Sequence, residues 1–275
     1  MECGRGAAKR ALALAAVFAV SFVAAALVSS RLLQSRITSA ATRTTTPWLY
    51  PGAALATLPS TLDIHHLGAL TDPTAVTRWA PVLRATVARG SPSVNGSFVG
   101  LLRARTSDGT TNIVVADAEV DVAGATWERV GLAKLPNGTE GWVPRSALGG
   151  WSFVDTRLVI NRARFTATLF RGERIIFRAP IGVGATGTPT PTGRFYVRDR
   201  LSGFSSPVYG PLAFGTNAKS PTLTDWPGGG VVGIHGTNQP WLIPGEISHG
   251  CIRLRNASII RLGQLMPVGT PVTIQ

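Results

Sequence analysis

"TRLVINRARFTATLFRGERIIFRAPIGVG", residues 156–184, is the stretch whose reading decides the fold. It reads as alternating strands with a turn at Arg171-Gly172-Glu173, because a period of two sends successive side chains to opposite faces of a pleated sheet. Further strands follow in "RFYVRDR" (194–200) and "VVGIH" (231–235). Between them "GTPTPTG", Gly187 to Gly193, is a rigid loop, since its prolines fix φ and have no N–H to give to a ladder. Asn256 is placed to cap a short helix, "ASIIRLGQLM", in which Ile259, Leu262 and Met266 share a face. Pro267 and Gly269 stop that helix, and "TPVTIQ" closes the chain as a last strand.

Upstream, from Pro81 to Leu148, the pattern is of short stretches: "VLRATVA", "SFVGLLRAR", "NIVVADAEV", "WERVGLA" and "GWVPRSAL", separated by "SDGTTN" and "PNGTE". Asn137-Gly138 signals a hairpin, because both residues tolerate the positive φ of a tight turn. About five strands in so short a span predict a small barrel.

Further upstream, "ALALAAVFAVSFVAAALV" (11–28) is free of charge and follows Arg5, Lys9 and Arg10. Its length lies between a signal-peptide core of about 7 to 15 residues and a membrane span of about 20. Residues 1–30 are therefore expected to be a signal peptide or membrane anchor, with the basic end in the cytoplasm and the rest of the chain exported. Residues 31–80 form a linker that opens with the Thr-rich, aperiodic "SRITSAATRTTTPW". His65 and His66 read as a surface pair, because no ligand set flanks them apart from Asp63.

The composition agrees with a β-rich chain: Gly, Pro, Thr and Val are plentiful, whereas Lys, Glu and Gln are scarce. At 275 residues with 44% hydrophobic content, the chain can bury a sizeable core. The net charge of +13 is spread as single Arg residues, without the clustered stripe of a nucleic-acid binder, so nucleic acid is not an expected partner. Wall polymers and lipid headgroups are the polyanions such a charge would attract outside the cell. Only two cysteines occur, Cys3 and Cys251. Export parts them, which leaves Cys251 as a lone thiol that either bridges chains or reacts.

Cys251 stands in "EISHGCIRLRN" (246–256), two positions after His249, and His235 stands in "GIHGT". An unperturbed thiol of pKa about 8.5 is mostly protonated at neutral pH, so a neighbouring imidazole that takes the proton makes it a nucleophile. The joint pattern of "GIHGT", "SHGCIRLRN", "TPTPTGRFYV", "GPLAF" and the closing "VGTPVTI" resembles the L,D-transpeptidase catalytic domain, the YkuD family, which remodels bacterial peptidoglycan. The resemblance covers residues 154–275. Separately, the Trp127 to Trp142 segment, with its "GWV" strand, resembles the end of a bacterial SH3-like domain, a module that binds wall peptides or acts as a spacer.

The resemblance implies that Cys251 is the nucleophile, His235 the general base and Gly236 the carbonyl that orients it. Ser248, His249 and Gly250 would shape the nucleophile's turn, with backbone N–H groups near Gly250 and Cys251 as the oxyanion hole. Arg253 is a candidate clamp for a substrate carboxylate, Asn256 matches the family pattern as a substrate-binding residue or helix cap, and Trp226 is a candidate cover over the cleft within "NAKSPTLTDWPGGG" (217–230). It also implies acyl transfer through a thioester, with D-alanine leaving a tetrapeptide stem and a diamino acid of a second stem accepting, or water in a carboxypeptidase side reaction. Neither cofactor nor metal is called for. Carbapenems are expected to acylate the same thiol. The expected architecture is mainly β: a catalytic domain at 151–275, an SH3-like β-barrel at 81–149, the linker, and an N-terminal hydrophobic helix, the whole acting extracytoplasmically. Two other readings are a catalytically silent wall-binding module and a zinc site of His235, His249 and Cys251, completed by Asp225.

Overall fold

The computed structural model describes residues 76–223 and 230–275, all within one compact unit, Thr61–Gln275. The expectations for the apolar run, the linker, Cys3, the His65-His66 pair, Asp225 and Trp226 lie outside the described residues. Among the described residues no helix is long and apolar enough to cross a membrane. Strands dominate, as the alternating patterns predict.

The first sheet contains β1 (Thr77–Pro81), β2 (Thr86–Arg89), β3 (Phe98–Leu102), β4 (Ile113–Val122), β5 (Ala125–Gly131), β6 (Glu140–Pro144) and β7 (Ser152–Val154). Their order is β3-β2-β6-β5-β4-β1-β7, with every pairing antiparallel. Both ends differ from the expected 81–149. β1 begins inside the expected linker, and β7 returns to pair with β1, because Trp79 and Val154 continue the apolar pattern beyond the turn signals. The core of this sheet includes Ala80, Val114, Val130 and Val143, all fully buried.

The Asn137-Gly138 hairpin differs in detail. Only Gly138 takes a positive φ, +82°, and the turn closes from Thr139 N–H to the Pro136 carbonyl at 3.3 Å. Asn137 is spent on another task. Its amide Nδ2 donates to the Lys219 carbonyl at 2.7 Å, and its Oδ1 accepts the Lys219 N–H at 2.8 Å.

The second sheet contains β8 (Thr156–Asn161), β9 (Thr166–Arg171), β10 (Arg174–Pro180), β11 (Gly182–Gly184), β12 (Gly193–Ser202), β13 (Leu212–Lys219), β14 (Val231–His235), β15 (Gly245–Ser248), β16 (Ile252–Arg253) and β17 (Pro271–Ile274). Their order is β10-β9-β8-β17-β12-β13-β14-β16-β11-β15. β8 buries Thr156, Leu158 and Ile160 on one face, the period-two pattern of its sequence. β13 is buried along nearly its whole length, as a central strand covered on both faces must be. The helix α1 (Asn256–Leu265) seals one face with Ile259 and Leu262, both fully buried, and Met266 follows at its C-cap. Burying each such side chain stabilises the fold by about 1.5–3 kcal/mol. Its N-cap is Arg255 rather than the expected Asn256, which already has helical geometry and turns its side chain elsewhere.

The two sheets are joined at several points. Tyr196 of β12 is buried among Ile113 and Val115 of β4, and its hydroxyl donates to the Gly131 carbonyl at 2.9 Å. Thr110 Oγ1 donates to Asp199 Oδ2 at 3.2 Å. The Trp79 ring packs so closely on Gly269, whose φ is +88°, that no side chain fits there. Within the first sheet's part of the chain two guanidinium groups stack on the Trp151 ring, with Arg78 Cζ 4.5 Å and Arg145 Cζ 4.6 Å from its centroid. Arg78 also donates to Glu128 Oε2 at 2.9 Å.

Candidate active site

Parallel pairing of β14 with β16 creates the site. The register sets Ile234 opposite Ile252 and His235 opposite Arg253. Continued by one residue, it brings Gly233 against Cys251, and the Gly233 N–H points to Cys251 Sγ at 3.4 Å. The buried isoleucines lock the register, since a slip of one position would turn the apolar side chains out of the core. Cys251, His235, His249 and Arg253 thereby line one cleft of ≈ 630 Å³, together with Tyr209 and Phe214.

His235 is 3% exposed, and its Nδ1 lies 2.6 Å from the Gly236 carbonyl oxygen. A carbonyl only accepts, so Nδ1 carries the ring hydrogen and Nε2 is left without one. Tyr209 meets the imidazole edge-on, with ring centroids 5.2 Å apart. A Cβ on Gly236 would come within 2.5 Å of Asn256 Oδ1 and 3.0 Å of Pro211 Cδ, so this carbonyl reaches its place only on a glycine. Asn256 Oδ1 accepts the Thr237 N–H at 2.9 Å and fixes the chain just beyond Gly236. Asn256 is not among the residues lining the cleft.

The turn that carries Cys251 is tied from three sides. Ser248 Oγ donates to the Cys251 carbonyl at 2.6 Å and accepts the Gly250 N–H at 3.2 Å. Gly250 has φ of +112°, in the region where side chains are strained. The rigid Gly187–Gly193 loop supplies the third tie: buried Thr190 Oγ1 donates to the Gly250 carbonyl at 2.9 Å and accepts the Gly184 N–H at 2.8 Å. Thr188 Oγ1 adds a bond to the Ser248 carbonyl at 3.2 Å. Thr188, Thr190 and Tyr209 were not singled out from sequence. The alternating threonines of "TPTPTG" are the signal that marks the first two, because each proline pre-sets the backbone that aims the next hydroxyl.

Burial governs the electrostatics. It lowers the His235 pKa to about 4, with Arg253 acting in the same direction and the Gly236 carbonyl opposing. Burial pushes the Cys251 thiol up, against the Gly233 N–H and Arg253, which pull it down. Both shifts favour the neutral thiol and the neutral imidazole over the ion pair. Arg253 Nε is buried without a hydrogen-bond partner among the described residues. Among those residues no group of three His, Cys, Asp or Glu side chains is placed to hold a metal ion.

Residues 155–274 match the family model for the L,D-transpeptidase catalytic domain, YkuD. The chain is 38% identical over 109 residues to the putative L,D-transpeptidase YkuD of Bacillus subtilis, covering 40% of this chain and 59% of that protein. It is 31% identical over 134 residues to the probable L,D-transpeptidase YbiS of Escherichia coli, covering 42% of this chain and 43% of that one. The chain thus spans less than two thirds of either relative. Among solved structures, the catalytic domain of the E. faecium L,D-transpeptidase is similar with a TM-score of 0.34 and 24% identity, covering 44% of this chain and 97% of that one. Residues 155–274 are thus similar to the L,D-transpeptidase catalytic domain, the YkuD family.

Proposed function

We propose that the chain is a peptidoglycan L,D-transpeptidase that works through a thioester on Cys251. The observation that carries this reading is the Nδ1 bond of His235 to the Gly236 carbonyl in the cleft that Cys251 also lines. It leaves Nε2 without a hydrogen, free to act as a base in that cleft. Because both groups are neutral at rest, the proton moves as the bond forms. Sγ attacks the carbonyl that joins the L-centre of a diamino acid to D-alanine, and the S–H proton passes to Nε2. The tetrahedral oxyanion collapses, the C–N bond breaks, and the imidazolium gives its proton to the departing D-alanine amine. An amine of a second stem then attacks the thioester and loses a proton through His235, while the sulfur leaves as the thiol. Water in place of the amine gives the carboxypeptidase reaction.

The Gly250 N–H is held by Ser248 Oγ, so the Cys251 N–H is the donor left for the oxyanion. One such donor contributes about 3–4 kcal/mol to transition-state stabilisation. Arg253, with its unpartnered Nε, is the clamp for a stem carboxylate. His249 lines the same cleft beside the nucleophile. The wall-facing role extends to the rest of the chain: residues 1–30 serve export or anchoring to the membrane, and the first sheet is a wall-peptide binder or spacer of SH3-like kind. Intact-mass measurement after incubation with a tetrapeptide stem or a carbapenem tests the proposal. An adduct is expected on the wild type and none on Cys251→Ala. Stem binding without any adduct would instead favour the silent wall-binding module.

A further inference from the structure

The cleft over Cys251 is not built by the catalytic domain alone. Ser107 and Asp108, from the β3–β4 connection of the first sheet, also line it. That connection is a fixed turn. The Gly109 N–H donates to the Thr106 carbonyl at 3.2 Å with φ of +77°, and the Asp108 N–H donates to Thr106 Oγ1 at 3.2 Å. The Thr106 N–H reaches the Thr110 carbonyl at 3.0 Å, and Arg105 Nη1 donates to the Gly109 carbonyl at 2.9 Å. Thr110 then fastens the turn to the catalytic sheet through Asp199 Oδ2, while Asp199 Oδ1 accepts the Gly215 N–H of β13 at 2.9 Å. β13 pairs directly with β14, the strand that ends in His235. One carboxylate, Asp199, therefore sets the turn against the strands that carry the base.

The charge is as informative as the position. Among the described residues lining the cleft, Asp108 is the one carboxylate, set against the cation Arg253. Asp108 is exposed and makes no ion pair among the described residues; its carboxylate accepts only a 3.4 Å contact from Ser107 Oγ, although its field reaches Lys219. An acid held at the cleft without a salt bridge is placed to meet a cation that arrives with the substrate. A stem peptide with a diamino acid brings one, the side-chain ammonium, which is distinct from the carboxylate that Arg253 meets.

We propose that Asp108 is a specificity-determining residue lent to the active site by the first sheet, its carboxylate holding the side-chain ammonium of a diamino-acid stem. This rests on the transpeptidase reading above. The donor stem and the acceptor stem carry the same group, and the experiment separates them.

The test follows thioester formation by mass on the full chain, using tetrapeptide donors whose side-chain amine is free or acetylated. The wild type should acylate with the free amine on the order of tenfold faster, the size of one charge-assisted hydrogen bond. Asp108→Asn should bring that preference close to one, and Asp108→Glu should keep most of it. Asp121→Asn, an exposed acid of the same sheet outside the cleft lining, should keep all of it. If Asp108→Asn instead lowers only the ratio of cross-linked to hydrolysed product, the carboxylate serves the acceptor. A product ratio unchanged in Asp108→Asn, together with either no wild-type preference or a preference that survives the substitution, overturns the proposal. Absence of any thioester on the wild type overturns the transpeptidase reading itself, and this one falls with it.

Discussion

The two sheets bury ionisable groups under opposite arrangements. In the first sheet Glu128 is fully buried with cations around it, Arg78 at 2.9 Å and Arg145 at 3.8 Å. In the second, His235 and Cys251 line a cleft whose one carboxylate among the described residues is the exposed Asp108, with the like-signed pull of Arg253 and a set of threonine, serine and backbone bonds around them. Burial wins in both places. It raises the Glu128 pKa to about 8, helped by the neighbouring Glu119 carboxyl and opposed by the two arginines. The difference lies in what the neutral form can do. Neutral Glu128 lies outside the cleft, whereas the Cys251 thiol and the His235 imidazole both line it, where a bound group can meet them.

The largest expected effect sets the two groups against each other. His235→Gln should lower the rate of Cys251 acylation by roughly 10²–10⁴-fold, the usual range for a lost general base. Glu128→Gln should leave that rate unchanged in the same single-turnover assay. Comparable losses in both variants would erase the contrast. Next comes Gly236→Ala, whose added methyl must displace Asn256 or Pro211 and with them the carbonyl that orients the imidazole. A loss of about 10²-fold in acylation is expected, the typical result of a misplaced reacting group. Thr190→Val keeps the shape but leaves the Gly184 N–H and the Gly250 carbonyl without their buried partner. It should cost about 1–3 kcal/mol, read as a lower denaturant midpoint at unchanged slope.

The smallest effect is the most diagnostic. Unfolded histidine binds a proton near 6.5 and folded His235 near 4, so between these values the unfolded state holds more protons. His235 therefore contributes stability above pH 6.5 that is lost as the pH falls toward 4. Glu128 has the opposite sign. Its folded pKa of about 8 exceeds the ordinary 4.5, so its contribution is complete below pH 4.5 and is lost as the pH rises through 8. Urea melts across pH should show the alkaline fall disappear in Glu128→Gln and the acid fall disappear in His235→Gln. A Glu128→Gln variant with the wild-type alkaline slope would mean that the arginines keep the carboxylate charged.

The strands of the second sheet were legible because their patterns are local: Leu158 and Ile160 alternate with Arg157 and Val159, and Gly172 marks its own turn. Cys251, His235 and Gly236 stood out through the resemblance to a family pattern, and the register of β14 on β16 gives a physical reason why Cys251 and His235 line one cleft. What sequence could not show is where a polar side chain spends its hydrogen bonds. Asn137 looked like half of a turn signal, yet it clasps Lys219 across the sheets; Asn256 looked like a cap, yet it holds Thr237. Asp108 looked like part of a separator, yet it lines the cleft. Each of these bonds spans residues far apart in the chain, where no periodicity carries information.

One feature of the joint between the sheets bears on how the molecule comes apart. β7 ends at Val154 and β8 begins at Thr156, so Asp155 alone lies between the last strand of one sheet and the first of the next. With no slack there, and with Tyr196 bonded to Gly131 and Asn137 clasping Lys219, neither half can melt without pulling at the other's hydrogen bonds. Heating residues 76–275 in a calorimeter should accordingly give a single endotherm, and the halves are poor candidates for separate expression.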